Sequence, residues 1–196
     1  MSAVLTNLRN TVIASSVLAI IVFLIVGLGR TSFDINFWSW LFRYLHVAAG
    51  VMWIGLLWYF NFVQIPSMPK IPDEQKPAVG KVIAPTALFY FRWAAMVTLI
   101  TGLVVAHLQG YLVDALMLGQ MTGQATIIGV GMWLAIIMWF NVWFVIWPNQ
   151  KKALGIVQVE PDVKAKAART AMLFSRVNTL LSLAMLLCMT GQMHLA

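Results

Sequence analysis

Five long apolar runs, separated by short polar stretches, make up most of this chain. They fall at about residues 11–29, 37–63, 85–109, 124–147 and 171–195. Each is near or above the ~20 residues that an α-helix needs to cross a hydrocarbon core of ~30 Å. Trp38, Trp40 and Tyr44 open the second run, as an interfacial aromatic belt would. Pro85 suits the first turn of the third, where a missing N–H costs nothing, and Pro148 closes the fourth. Pro161-Asp162 reads as a helix start that runs on into the last span.

The connections carry their own signals. Residues 65–84 hold Pro66, Pro69, Pro72 and Pro77, which predicts an extended link. Residues 110–123 mix Tyr111, Leu112, Leu116 and Leu118 with Asp114, a pattern for a short helix lying on the membrane surface. Arg9 precedes the first run, as in a signal peptide, but the run is long for one and no A-x-A site follows it. We therefore expect an all-α polytopic membrane protein with five transmembrane helices. Residues 1–36 are read as an anchor helix with its loop, and residues 37–196 as a four-helix bundle built from spans two to five.

Composition agrees with this pattern. Apolar residues make up 61% of the chain and charged residues only 10%, against ~25% charged in a soluble domain. The net charge of +7 is thus no nucleic-acid footprint, because it sits mainly in loops. Arg9, Lys70, Lys76, Lys81, Lys151, Lys152, Lys164, Lys166 and Arg169 fall on one side of the expected topology, and Arg30 alone sits in a loop on the other. Basic loops stay cytoplasmic, so the N-terminus is expected inside and the C-terminus outside. Cys188 is the only cysteine, which excludes an intramolecular disulfide and a CxxCH haem attachment.

The six acidic residues lie outside the apolar runs, so chemistry within the bilayer cannot rest on carboxylates. That argues against proton or ion pumping. No Ser-His-Asp or HExxH arrangement is present for hydrolysis. The three histidines all fall toward the outer side: His46 within the second span, His107 near the end of the third and His194 near the end of the fifth. Histidines facing one another across a bundle core can hold a b-type haem. Arg43 precedes His46 by about one helical turn on the same face, nearer the interface, where it could pair with haem propionates as a fork. Gly50 and Trp53 continue that face, the first leaving room beside a flat ring and the second packing on its edge.

His107 is the first choice as second axial ligand, although it lies on the order of 8 Å nearer the surface at 1.5 Å per residue. A methionine from the stripe Met185, Met189 and Met193 is the other choice. Plainer readings stand beside these. In these, His46 simply bonds a neighbouring helix, Arg43 snorkels outward, His107 and His194 are wet, and the methionines fill the core. At the opposite end, Arg92, Asn141, Asn178, Arg176 and Asn61 reach similar depth. They either lock helices together through hydrogen bonds or line a pocket for an anion or a quinone.

Several segments resemble the urate oxidase N-terminal membrane domain of bacterial membrane urate oxidases. Arg43-Tyr44-Leu45-His46-Val47 with Trp53-Ile54-Gly55 resembles its W-L-H-V…W-I-G segment. Residues 141–151, ending Trp147-Pro148-Asn149-Gln150-Lys151, are similar to its N-V-F-F-I-I-x-P-N-Q-[RK]. Phe91-Arg92-Trp93 with Thr101-Gly102 resembles its F-K-W…S-G stretch, and residues 175–193, with Ser175, Asn178 and Ser182, its final span. The histidine followed by W-x-G is also similar to four-helix protoporphyrinogen oxidases and copper-resistance membrane proteins.

The likeness covers about residues 37–195. It implies a helical membrane fold, the bacterial inner membrane and a redox setting. The family's membrane domain is longer, with additional helices in its middle and often a C-terminal cytochrome c, and Arg176-Val177 stands where a histidine of its last helix is expected. For those reasons urate oxidation is not carried over. Should the family's electron route end on an outside cytochrome, this chain would need one as a separate partner.

Three functions follow as expectations. The leading one is an electron-transfer protein that binds haem b in the outer leaflet and works with an outer-face cytochrome c or a larger complex. The second is a non-catalytic accessory subunit of a membrane complex. The third is copper binding by His107, His194, Met193 and Met189, soft ligands that suit Cu(I). Urate turnover is a fourth possibility, with Arg92 and Arg176 recognising the anion.

Overall fold

The computed structural model describes residues 2–27 and 32–195, and its side chains over residues 4–27 and 32–192. Arg30, Met193 and His194 therefore lie outside the described side chains. The described residues are helical almost throughout and contain no strand. Five helical stretches are long and apolar enough to cross a membrane: Leu8–Gly27, Ile35–Lys70, Lys76–Leu108, Thr126–Ala153 and Pro161–Gln192. Two compact units are distinguished, Met1–Trp40 and Leu41–Ala196. The division falls within the second span, a few residues after the boundary expected from sequence.

In the first unit, helix α1 (Leu8–Gly27) buries none of its residues. A helix this apolar with no buried residue suits a lipid surround. Phe23 stacks on Trp40 with ring centroids 5.5 Å apart, and Phe37 lies 6.0 Å from Phe23.

The second unit holds α2 (Ile35–Trp58), whose last part from Leu41 belongs here, then α3 (Ala84–Leu108), α4 (Leu112–Leu116), α5 (Thr126–Phe140), α6 (Trp147–Ala153) and α7 (Pro161–Leu195). Its core is a slab of large side chains, Trp53, Leu57 and Phe60 against Phe91, Met138, Val142, Ile146 and Met185. Buried among them are polar groups: Thr98, Thr101, Asn141, Ser175, Asn178 and Ser182. Leu180, Leu183 and Leu187 on the last helix are more than 60% exposed. Apolar side chains outside and polar ones inside is the arrangement that lipid favours, since polar groups must find partners within the bundle.

Three π-helical stretches, Tyr59–Gln64, Val79–Ile83 and Asn141–Ile146, interrupt the spans. Each is followed at once by a short or long α-helix with proline in its first turn: Pro66, Pro85 and Pro148. A proline has no N–H and its ring crowds the carbonyl one turn earlier. A wide turn placed before it relieves that crowding, so the helix continues past the proline.

This corrects two expectations. Pro148 does not close the fourth span, which runs on to Ala153. Residues 65–84 are not an extended link: helical turns occupy Ile65–Ser67, Met68–Lys70 and Lys76–Ala78, each with proline at its start. Only the stretch from Ile71 to Gln75 is non-helical, and Ile71, ahead of Pro72, is extended (ψ 129°). The helix start at Pro161 does run unbroken into the last span.

Polar pairs tie the helices together. Trp58 Nε1 donates to Ser182 Oγ (3.1 Å) and Asn61 Nδ2 to Ser175 Oγ (2.8 Å), joining the second span to the last. Asn141 Nδ2 donates to Asn178 Oδ1 (2.8 Å), and Asn178 Nδ2 to the Met138 carbonyl (2.9 Å). At the other end, Gln192 bridges the start of α5, accepting from the Ile128 N–H (2.8 Å) and donating to the Gln124 carbonyl. The segment after α3 turns back over the bundle. Gly110, at φ +78°, permits the reversal, and the Tyr111 N–H closes it on the Ala106 carbonyl (3.1 Å). The short helix expected in residues 110–123 is α4. Its Asp114 is buried and accepts from the Met121 and Thr122 N–H groups (2.9 and 3.2 Å) and from the Thr122 hydroxyl.

Candidate functional site

A cavity of about 580 Å³ lies between the second, third, fourth and fifth spans. Pockets for cofactors and drug-sized ligands occupy ~300–1,000 Å³. Arg43, His46, Gly50 and Trp53 line it from α2, and Thr98 and Gly102 from α3. Met132 of α5, Met185 and Met189 of α7, and Tyr111 complete the wall.

His46 is fixed by two features of α3. Its Nδ1 is 2.8 Å from the Thr98 carbonyl oxygen. A carbonyl can only accept, so Nδ1 carries the proton and, in the neutral ring, the lone pair stays on Nε2. The ring also lies against Gly102, where an added Cβ would come within 2.8 Å of His46 Cε1 and 3.0 Å of Nδ1. Any larger residue at that position would displace the imidazole. A histidine whose Nδ1–H is held by a backbone carbonyl is oriented as a metal-ligating imidazole normally is.

The other sequence-predicted residues fall unevenly. Gly50 does leave room: an added Cβ there would meet only Thr98 Cγ2, at 3.8 Å. Trp53 is almost wholly buried, and its indole Nε1 has no hydrogen-bond partner, which leaves an unpaired donor on a cavity residue. Arg43 is exposed and lines the cavity near Tyr111. Burial pushes the Tyr111 phenol above its usual range, and the Arg43 charge draws it partly back.

His107 is exposed at the end of α3 and is not among the cavity residues. Met185 and Met189 are. Of the copper set, Met189 alone is placed in the cavity, and the side chains of Met193 and His194 lie outside those described. Among the described residues no group of three or more His, Cys, Asp or Glu side chains comes together.

At the lysine-rich end, Asn141, Asn178 and Asn61 are held in the helix–helix bonds given above. Arg176 is exposed. Arg92 is stacked on Trp147, its Cζ 3.3 Å from the ring centroid, and lies 5.9 Å from Trp143. The structure thus divides the five residues into three asparagines bonded between helices, a cation on an aromatic platform (Arg92) and an exposed cation (Arg176).

Sequence reasoning missed Thr98, because a backbone carbonyl leaves no trace in residue identity. Gly102 and Tyr111 were noted without a role. The spacing of Trp143 and Trp147 at i, i+4 was the available signal for the platform under Arg92.

No curated protein and no solved structure matches the chain. The family model described as urate oxidase N-terminal does match, over residues 110–195. That stretch includes Tyr111, Met132, Met185 and Met189 of the cavity and the whole Asn141 to Lys151 motif, while His46 and Gly102 precede it. The resemblance read from the residues is therefore met by the urate oxidase N-terminal family over the turn-rich segment and the last two spans of this chain.

Proposed function

We propose that this protein binds b-type haem in the cavity between its spans and serves electron transfer in a membrane. The observation that carries the reading is His46: its Nδ1 is bonded to the Thr98 carbonyl, which leaves Nε2 as the basic nitrogen of a cavity residue. His46 would then hold the haem iron. The thioether of Met185 or Met189 would serve as a further ligand in preference to His107, because both methionines line the same cavity and His107 does not.

Arg43 would pair with a propionate, Gly50 would leave room for the ring, and the unpaired Trp53 N–H would offer a donor to it or to a water. The haem supplies a one-electron couple, and a His/Met ligand set holds it at a higher potential than two histidines would. The residues of this chain would fix the imidazole through Thr98 and Gly102 and offset the charge of an acid group through Arg43.

The sided distribution of lysine supports a reading in which the N-terminus is cytoplasmic, the C-terminus periplasmic and the haem in the outer leaflet of a bacterial inner membrane. A separate outer-face cytochrome c or a larger membrane complex takes or delivers the electron. The test is an absorption spectrum of the protein purified after growth with ample haem, oxidised and then reduced. A Soret band that is lost in His46→Ala and kept in His107→Ala supports the reading. A wild-type protein without a Soret band refutes it.

A further inference from the structure

Arg92 is an unpaired cation inside a membrane span. It sits sixteen residues before the end of α3 at Leu108, which at 1.5 Å per residue is about 24 Å along the helix axis. In a hydrocarbon core of ~30 Å that is close to the lysine-rich boundary. Its Nε is buried without a hydrogen-bond partner. No carboxylate approaches it: among the described residues the ion pair is Lys76 with Asp73, at 2.5 Å.

What it has is an aromatic floor. Its guanidinium lies 3.3 Å from the Trp147 ring centroid, and Lys151 brings its ammonium to 5.7 Å from the same ring. Lys151 is one turn after Trp147 on α6, within the Trp147-Pro148-Asn149-Gln150-Lys151 motif. Two cations near one indole repel each other, and the ring offsets only part of the cost of keeping charge near lipid. An anion bound by both would offset both penalties. The bilayer boundary supplies one of fitting shape, since a guanidinium fork matches phosphate oxygens and a flexible ammonium adds a point charge.

We propose that Arg92 and Lys151, laid against Trp147, bind a phosphate group, which in the native membrane is that of an anionic phospholipid. A free phosphate ion offers the same chemistry, and the experiment separates the two sources. The full chain, purified in mild detergent, is offered phosphatidylglycerol, phosphatidylcholine or inorganic phosphate. Bound lipid is counted by native mass spectrometry, and thermal stability is followed in parallel.

A basic residue at a membrane surface contributes about fivefold to binding of anionic lipid. Arg92→Gln and Lys151→Gln should each weaken retention of phosphatidylglycerol about fivefold, with phosphatidylcholine little affected. Lys166→Gln removes the same charge from an exposed position on α7 and should leave retention unchanged.

Arg92-dependent stabilisation by inorganic phosphate, without a preference for phosphatidylglycerol, keeps the phosphate site and overturns its lipid occupant. Equal retention by wild type, Arg92→Gln and Lys151→Gln overturns the site itself. Should Arg92→Gln fail to fold, Arg92→Lys keeps the charge without the fork. Unchanged binding in that variant and in Lys151→Gln is then the refuting result.

Discussion

Replacing Gly102 with alanine tests the orientation of His46 without touching the ring. The new methyl would sit 2.8 Å from His46 Cε1 and 3.0 Å from Nδ1. Carbon atoms rest at ~3.5–4.0 Å, so the ring must retreat by roughly 1 Å. Its tether, the 2.8 Å bond from Nδ1 to the Thr98 carbonyl, would then stretch beyond ordinary hydrogen-bond length. The lost bond costs about 1 kcal/mol and the crowding ~1–3 kcal/mol. Alanine returns about 1 kcal/mol of helix propensity over glycine. The expected net loss is about 1–3 kcal/mol, with the imidazole turned from its present direction. Haem content per polypeptide and the Soret position report the second effect, and detergent-resistant thermal unfolding the first. Gly80→Ala is the matched control, because an added Cβ there meets nothing within 4 Å. A Gly102→Ala protein with full haem, an unshifted spectrum and wild-type stability would refute the reasoning.

Within the haem reading, Met185→Leu or Met189→Leu should lower the reduction potential in whichever variant removes the ligand, while His107→Ala leaves potential and spectrum unchanged; redox titration decides. Gly50→Leu should keep the fold and reduce haem content, since an added Cβ meets only Thr98 Cγ2 at 3.8 Å and further bulk enters the cavity. Asn178→Ala leaves the Asn141 amide and the Met138 carbonyl without their partner and should cost about 1–3 kcal/mol, measured by unfolding in mixed micelles. Asp114 is held below the usual carboxylate range chiefly by the Thr122 hydroxyl, which outweighs the opposing effect of burial, with further support from the Met121, Thr122 and Ala125 N–H groups. The turn at residues 114–122 should therefore be fully stabilised above pH ~4 and lose that support as pH falls through the depressed value. Amide exchange at Met121 and Thr122 should show this, and Asp114→Asn should abolish the pH dependence.

The bundle was legible because lipid imposes a simple rule on sequence. A run of about 20 apolar residues has few alternatives to a spanning helix, and all five runs are helical here. Prolines misled at the span ends. Read one by one, Pro66, Pro69, Pro72 and Pro77 mark a loop, yet three of them open helical turns. A sequence rule for proline penalises helix interiors but does not register that Pro69 and Pro77 each sit in a first turn, or that a π turn just upstream of Pro66 removes the clash there. The polar residues were found by their rarity in apolar runs, and their roles were then divided by geometry. Asn141 and Asn178 satisfy each other, so the plain reading holds for them. Arg92 and Arg176, similar in sequence context, diverge: one is laid on an indole and the other is exposed.

The same contrast explains why the cavity was only half visible. His46, Gly50 and Trp53 share one helix face and can be read by counting turns. Thr98, Tyr111 and Met132 come from elsewhere in the chain, and each is placed by a backbone feature. Thr98 acts through its carbonyl. Tyr111 is carried over the bundle by the reversal at Gly110. Met132 is brought in by α5, whose start is pinned to the last helix by Gln192. A site assembled in this way leaves one strong signal, the half-buried titratable residue in an apolar span, and hides its supports in main-chain atoms. For a small membrane bundle it follows that the lone intramembrane histidine is the residue to start from, and that its hydrogen-bond partner on the next helix decides which ring nitrogen is left for chemistry.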